Sequence, residues 1–167
     1  DSHHVNLTTT PSQPARMPEF PGEKSLWNGF DCFTFEHDGR DCRVVRPKKA
    51  VPNRPWIWRA RFFGVAPKVD IALLEKGFHL AYIDVISLFG IVQAVAHWDA
   101  FYSLLTETLG FQKQVALEGM SRGGLIVYNW AKRNPEKLAC IYADAPVCDI
   151  RSWPGLERRG LGQLRDQ

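Results

Sequence analysis

Near the start of the chain, two runs of hydrophobic residues alternate with polar positions and are separated by a turn signal. The runs cover residues 30–35 and 42–45, and Asp38 and Gly39 lie between them. A period of two is typical of strands, and both turn residues tolerate the positive φ that a tight hairpin requires. The pattern therefore predicts an antiparallel hairpin.

Further along the chain, short apolar runs alternate with segments of helical spacing. Strands are predicted at 56–58, 78–85, 115–117 and 138–143, and helices at 69–76, 92–109 and 123–132. Gly77, Gly110 and the pair Asn134 and Pro135 end the three helices. Parallel strand pairs need a crossover, which a helix normally provides. The predicted fold class is α/β, with a mostly parallel sheet, an antiparallel N-terminal hairpin and helices on both faces.

The composition predicts one domain with two irregular ends. The chain has 167 residues, of which 45% are hydrophobic, enough for one core. Residues 1–22 are rich in Thr, Ser, Pro and Gln, which favours a flexible tail or an edge wrap. We expect the core at 23–155 and a second irregular tail at 156–167.

Charge and hydropathy exclude two kinds of partner. The formal net charge of +3 is spread along the chain without a basic face, which argues against a nucleic-acid partner. No apolar run approaches the roughly 20 residues of a membrane helix, so no membrane partner is expected. The chain begins at Asp1 rather than Met, which leaves both a periplasmic or secreted and a cytoplasmic location open.

The four cysteines do not have the spacing of a metal site. They lack close CxxC pairs, so neither a bound metal nor any other cofactor is predicted. Cys32 and Cys42 flank the predicted hairpin turn. Two interpretations are open: the pair faces each other and forms a disulfide, or both remain free thiols.

One motif carries chemistry. Gly119, Met120, Ser121, Arg122 and Gly123 fit G-x-S-x-G between a predicted strand and a predicted helix. A sharp turn there would hold Ser121 in strained backbone geometry with its hydroxyl above the sheet, and would position the Arg122 N–H to stabilise an oxyanion. The alternative is a glycine-rich turn that only packs tightly or binds a phosphate.

The order of elements and this turn resemble the α/β-hydrolase superfamily over residues 30–149. The segments PWIWRARFFG, HWDAFYSLL, GMSRGGLIVYNWA and IYADAPVCDIRSWPG resemble bacterial hydrolases found among carbohydrate-degrading proteins, some of them labelled sialidases or esterases. The superfamily resemblance implies a serine nucleophile, a carboxylate and a histidine in that chain order. It also implies an oxyanion donor from the loop after the third strand.

That loop is Arg59, Ala60 and Arg61 in this chain, without the His-Gly start common in lipases and esterases. The resemblance makes the N–H groups of Arg59 and Ala60 candidate oxyanion donors. Alternatively, Arg59 and Arg61 lie over a substrate carboxylate or are solvated surface charges. For the acid, Asp144 and Asp149 follow the sixth predicted strand, and each either orients a histidine or only caps a loop.

The histidines depart from the superfamily pattern. All five histidines precede Ser121, and residues 156–167 contain no strand-like run. We therefore expect that the chain lacks the last third of the fold and the catalytic histidine, and that it is impaired as an enzyme. An incomplete sheet would also leave the strand at 138–143 as an exposed apolar edge that favours self-association.

Two functions are consistent with these observations. The leading hypothesis is a serine hydrolase, an esterase that acts on a small-molecule carboxylic ester, which the resemblance would link to carbohydrate. The alternative is a non-catalytic module that binds a sugar or small apolar ligand in a pocket lined by Trp56, Trp58 and Phe62.

Overall fold

The computed structural model describes residues 19–88 and 92–149 as seven strands and three helices in a single sheet-based core. The strands are β1 (Glu23–Trp27), β2 (Phe30–His37), β3 (Arg40–Arg46), β4 (Trp56–Arg59), β5 (His79–Ile83), β6 (Val115–Met120) and β7 (Leu138–Asp144). The helices are α1 (Lys68–Glu75), α2 (Val92–Ser103) and α3 (Gly123–Arg133). A π-helical turn over Leu104–Thr108 continues α2, and 3-10 turns cover Ile86–Leu88 and Pro135–Lys137. Within the described ranges, no helix is both long and apolar enough to cross a membrane.

The sheet is mixed, as the sequence predicts. Its strand order is β1-β2-β3-β5-β4-β6-β7. The pairings from β1 through β3 to β5 are antiparallel, and those among β5, β4, β6 and β7 are parallel. The predicted fold class is confirmed, although the antiparallel part is larger than the hairpin because β1 was not predicted. Four of the five β1 residues are exposed, so the segment has no buried alternation to indicate a strand.

Helices cover both faces of the sheet. On one face, α2 and α3 bury a large aromatic cluster in which the rings of Trp58 and Trp98 stack with centroids 3.9 Å apart. On the other face, α1 buries Leu74 against residues of β2, β3, β4 and β5. The strands β4 and β5 are buried along their whole length because both of their faces are covered.

Of the segment predicted as a flexible tail or an edge wrap, the structure describes residues 19–22. Phe20 is buried, and its ring centroid lies 5.0 Å from that of Phe33 and 5.9 Å from that of Phe111. One aromatic side chain therefore anchors this segment to the core. The rest of the predicted N-terminal tail and the whole of 156–167 lie outside the described residues.

The disulfide interpretation of Cys32 and Cys42 is wrong. The hairpin register places Cys32 opposite Val45 and Cys42 opposite Phe35, so the two cysteines do not face each other. They are buried in different hydrophobic clusters on opposite faces of the sheet, and both are free. Burial raises the pKa of both thiols, to about 12 for Cys42, so neither is a reactive thiolate.

Candidate active site

The strand-to-helix turn predicted around Ser121 is present, and its backbone has the unusual conformation that the motif implies. β6 ends at Met120, α3 begins at Gly123, and Ser121 between them has a φ of 48°. A non-glycine residue in this left-handed region costs on the order of 1 kcal/mol, so the surrounding structure must hold it there.

Hydrogen bonds from the end of β7 and the loop after it hold this conformation. The Ser121 N–H donates to the Asp144 carbonyl at 2.9 Å. The Ser121 carbonyl accepts from the Val147 N–H at 2.7 Å and from the Gly124 N–H at 3.0 Å. The turn is thus fixed through both of its backbone polar groups, and the side chain of Ser121 is half-buried rather than packed into the core.

Three glycines let neighbouring chain segments approach the turn. A Cβ on Gly119 would lie 3.2 Å from Val127 Cγ2, and one on Gly123 would lie 3.3 Å from the Cβ atoms of Ala60 and Arg61. The tightest position is Gly124, where a Cβ would lie 2.7 Å from the Val147 carbonyl oxygen. Because that neighbour is backbone, a side chain at 124 would displace the loop that holds Ser121.

A cavity of about 10 Å³, close to the volume that one water needs, lies beside the turn. Its lining comes from the loop after β4, the loop after β5 and the start of α3, namely Ala60, Arg61, Val85, Ile86, Arg122, Gly123 and Ile126. The Arg61 backbone nitrogen would lie 3.6 Å from a Cβ on Gly123. The first residues of a helix direct their N–H groups outward from its N-terminus. A cavity of this volume beside the N–H groups at the start of α3 suits a single oxygen atom with partial negative charge.

The two candidate oxyanion donors, Arg59 and Ala60, lie at the end of β4 and directly after it. The Ala60 N–H donates to the Glu118 carbonyl at 3.0 Å. In this conformation it is hydrogen-bonded to the neighbouring strand β6 and does not point at the turn. Arg59 belongs to β4 and is completely buried, which contradicts both its placement over a substrate carboxylate and the surface-charge interpretation. The backbone of Arg61 lies nearer to the turn. The sequence alone does not indicate this, because which residue of the loop reaches the turn depends on the residue at which β4 ends.

The buried side chain of Arg59 connects the elements around the site through hydrogen bonds. Its Nη1 donates to Asp70 Oδ2 at 2.6 Å and to Glu118 Oε1 at 3.1 Å, and these three side chains are at most 3% exposed. Its other nitrogens donate to carbonyls in the loop after β4, those of Arg61, Phe62 and Val65. One guanidinium therefore ties the loop at the cavity to α1 and to the strand that carries Ser121.

Two carboxyl groups share this single guanidinium. Burial, followed by the hydrogen bond and the charge of Asp70, raises the pKa of Glu118 to about 8, although Arg59 acts in the opposite direction. Glu118, three residues before Ser121 in the chain, therefore takes up a proton more readily than a free glutamate. Sequence reasoning missed this cluster because its members are brought together only by the fold.

Of the two candidate acids, Asp144 lies at the same edge of the sheet as Ser121. Asp144 is the exposed last residue of β7, pairs with Met120 in the register and accepts the Ser121 N–H through its carbonyl. Asp149 lies five residues further along, in the irregular segment that follows β7, and is partly exposed. The structure brings Asp144 next to the turn but shows no histidine with it among the described residues.

Each described histidine has another place in the fold. His79 begins β5 at the edge opposite Ser121, and burial and then Arg54 lower its pKa to about 3, so it is neutral. His97 on α2 lies with Nδ1 3.2 Å from Asp38 Oδ2, and His37 pairs with Arg40 beside the same hairpin turn. Three strand spacings of about 4.8 Å separate β3 from β6 in the sheet order, which keeps this turn away from Ser121.

A larger pocket of about 320 Å³ adjoins the small cavity through Arg61 and Ile86. Its remaining lining residues are Asp41, Arg43, Phe62, Phe63, Tyr82 and Asp84. Burial raises the pKa of Tyr82 to about 12, so its phenol remains a hydrogen-bond donor. Of the three residues expected to line a binding pocket, Phe62 lines this one, whereas Trp56 and Trp58 are at most 1% exposed within the core.

No group of three or more His, Cys, Asp or Glu side chains in the described part of the chain is arranged to hold a metal ion.

No family model matches this sequence, and the search of curated proteins finds no match. Solved structures do resemble it. A cold-adapted esterase from an Arctic intertidal metagenomic library aligns with a TM-score of 0.59 at 13% identity, over 75% of this chain and 63% of that one. Acetyl xylan esterase from Aspergillus awamori aligns with a TM-score of 0.54 at 12% identity, over 66% and 50%.

An epoxide hydrolase from Vigna radiata aligns with a TM-score of 0.50 at 18% identity, over 68% of this chain and 39% of that one. The chain thus spans less than two thirds of the length of each of these structures. Similarity at such low identity reports the backbone architecture of the aligned parts and nothing about their chemistry. The chain has the α/β-hydrolase fold.

Proposed function

We propose that this protein is a serine hydrolase that cleaves carboxylic esters with Ser121 as the nucleophile. The observation that carries the proposal is the positive φ of Ser121 in a turn between β6 and α3, held by hydrogen bonds to Asp144 and Val147. A left-handed serine at this point in an α/β-hydrolase fold is the arrangement of a nucleophile elbow. The two esterases among the structural neighbours support the same reaction class.

In the proposed reaction, Ser121 Oγ attacks the ester carbonyl carbon and its proton passes to a base. The carbonyl oxygen becomes the oxyanion and enters the 10 Å³ cavity, where the N–H groups of Arg122 and Arg61 stabilise it. The alcohol then leaves with that proton, and water releases the acid from the acyl-enzyme. Since no described histidine reaches Ser121, we place the base outside the described residues, with Asp144 or Asp149 as its orienting acid.

The larger pocket is proposed to hold the body of the substrate. Its volume of about 320 Å³ falls in the range of small-molecule sites. Phe62 and Phe63 contribute apolar side chains to its lining, while Tyr82, Asp41 and Asp84 offer hydrogen-bonding groups for hydroxyls. We therefore extend the proposal to esters of hydroxylated, carbohydrate-like alcohols.

A fluorophosphonate probe tests the nucleophile, because it reacts only with serines that are activated by their site. The protein expressed from its complete gene should be labelled at Ser121, as located by mass spectrometry of the modified peptide. The S121A variant should not be labelled. Ser25→Ala is the matched control, since Ser25 lies on the exposed strand β1 and should not affect labelling. An unlabelled wild-type protein that is folded would refute the proposal.

A further inference from the structure

Asp70 places a carboxylate in the interior of the protein. Its side chain is completely buried in the first turn of α1, and its Oδ2 accepts a hydrogen bond from Arg59 Nη1 at 2.6 Å. Removing two such charges from water is costly, and apolar residues of similar volume often stabilise a fold equally well. The stability of the fold alone therefore does not account for this ion pair.

The ion pair joins the two ends of the loop between β4 and α1. Arg59 is the last residue of β4, and Asp70 lies in the first turn of α1. Arg59 also binds the interior of this loop, because its Nε donates to the carbonyls of Arg61 and Phe62, at 3.1 Å each. Its Nη2 donates to the Val65 carbonyl. One guanidinium thus holds the ends of the loop together and binds three of its carbonyls.

The backbone of this loop is irregular. Phe62 and Ala66 have φ angles of 55° and 47°, in the left-handed region that residues other than glycine rarely adopt. The carbonyls of such a segment need donors that a helix or a strand would supply from its own backbone. Arg59 supplies them from its side chain. The conformation of the loop therefore depends on the position of the guanidinium, to which Asp70 is bonded from α1.

The same loop forms one wall of the 10 Å³ cavity at the nucleophile turn, through Ala60 and Arg61. The Ala60 N–H is bonded to the Glu118 carbonyl at 3.0 Å, and the Arg61 carbonyl is bonded to Arg59 Nε at 3.1 Å. The peptide group between these two bonds carries the N–H that the proposed reaction uses for the oxyanion. A shift of the Arg59 guanidinium would therefore move this peptide group.

We propose that Asp70 is a positioning residue for ester cleavage, because through Arg59 it fixes the loop that supplies the second oxyanion donor. This inference rests on the proposed function and deepens it. Asp70 lines neither the cavity nor the adjoining pocket, so it acts only through the geometry of the loop. An oxyanion donor acts mainly in the transition state. A displaced donor therefore lowers kcat and leaves KM nearly unchanged.

Steady-state hydrolysis of 4-nitrophenyl acetate by protein from the complete gene tests this role. Asp70→Ala should lower kcat by about ten- to a hundred-fold with KM nearly unchanged, as for a misplacement near 1 Å. Asp70→Asn keeps an oxygen for Arg59 and should restore part of the loss.

Leu74→Ala is the matched control. It truncates another buried side chain of α1, one that packs among apolar residues, so it should cost stability but keep kcat. An equal fall in kcat for the two alanine variants would overturn the positioning role of Asp70.

Hydrogen exchange measures the position of the loop without requiring activity. Amide groups of residues 60–66 should exchange about ten-fold faster in Asp70→Ala than in the wild-type protein, and Leu74→Ala should leave their exchange unchanged. Arg59→Lys should loosen the loop as well, because an ammonium has fewer N–H donors than a guanidinium. This second variant carries the same test if Asp70→Ala does not fold.

The two measurements separate this inference from the proposed function. If fluorophosphonate labels Ser121 but kcat and loop exchange in the Asp70 and Arg59 variants equal those of the wild type, Asp70 has no positioning role and the hydrolase proposal stands. If Ser121 is not labelled but the loop exchanges faster in these variants, the hydrolase proposal fails and the fixing of the loop by Asp70 stands.

Discussion

At the residue scale, the buried cluster of Arg59, Asp70 and Glu118 has a cost that depends on pH. One guanidinium cannot neutralise two ionised carboxylates, and the surroundings are too dry to solvate the excess charge. A proton on Glu118 relieves this imbalance, in line with its raised pKa. The loop at the cavity, the nucleophile strand and α1 are therefore joined most favourably when Glu118 is neutral.

The direction of the pH effect follows from the pKa of Glu118, which is raised from 4.5 to about 8 in the folded protein. The folded state binds the proton more tightly, so the contribution of Glu118 to stability is full below about pH 4.5 and is lost as the pH rises through 8. Glu118→Gln keeps an oxygen for Arg59 but cannot ionise. Its free energy of unfolding should fall less steeply over this window, by at most about 1.4 kcal/mol per pH unit.

Urea unfolding at several pH values between 5 and 8 measures this difference. Glu75→Gln is the control, because Glu75 is an exposed glutamate at the end of α1. It should follow the pH dependence of the wild-type protein. Parallel pH profiles for wild type and Glu118→Gln would contradict the assignment of the shared proton to Glu118.

The residues of the site were predictable from the sequence only where their chemistry is local. Ser121 could be identified because its turn, its glycines and the flanking elements are contiguous in the chain. Arg59 could not, because its partners lie 11 and 59 residues away, and two arginines after a strand have the same pattern as surface charges. Trp56 and Trp58 were ambiguous for a similar reason, since an apolar strand does not indicate whether its rings face a pocket or a helix.

At the element scale, the nucleophile turn depends on close contact between α3 and the loop after β7. The Gly124 position allows that contact, and Val147 in the same loop donates to the Ser121 carbonyl. The loop therefore transmits any movement at Gly124 directly to the backbone of the nucleophile. The conformation of Ser121 is a property of two packed elements and not of the motif alone.

Gly124→Ala should disturb the site more than the fold. Its Cβ would lie 2.7 Å from the Val147 carbonyl oxygen, so the loop must shift, while alanine itself is favourable in a helix. We expect the rate of fluorophosphonate labelling at Ser121 to fall by about ten- to a hundred-fold, as for a misplacement near 1 Å. Circular dichroism should show that the helices are retained.

Gly29→Ala provides the contrasting control. Gly29 has a φ of 80° and open space around its Cα, so alanine there strains only a distant turn. That variant should lose stability by about 1 kcal/mol and keep its labelling rate. If both variants labelled at the wild-type rate, the contact at Gly124 would have no influence on the nucleophile.

Strand register decided between the two interpretations of the cysteines and confirmed the free thiols. The hairpin of β2 and β3 was predicted, yet the pairing of His37 with Arg40 places Cys42 opposite Phe35 and leaves Cys32 on the other face. Since side chains alternate between faces, an error of one residue in register reverses which residues meet. The spacing of two cysteines around a turn therefore does not establish that they are neighbours.

At the scale of the whole molecule, the alternation of strands and helices was sufficient to predict the sheet. Each parallel crossover leaves a signal in the sequence because it needs a helix with one buried face. The antiparallel edge leaves a weaker signal, as the exposed residues of β1 illustrate. At the opposite edge, β7 pairs with β6 on one side, and no other described strand borders it.

This edge predicts self-association of the 167-residue chain. Ile141 is half-buried, Tyr142 is 43% exposed, and the side of β7 that no described strand borders can form a template for another strand. We expect dimers or larger species at micromolar concentration in size-exclusion chromatography with light scattering. Tyr142→Lys should shift the chain toward monomer, because a lysine on an edge strand opposes pairing. Tyr128→Lys, on the exposed face of α3, should not, since Tyr128 is similarly exposed at 39% but lies on a helix. A monodisperse wild-type monomer would show that β7 does not pair between copies.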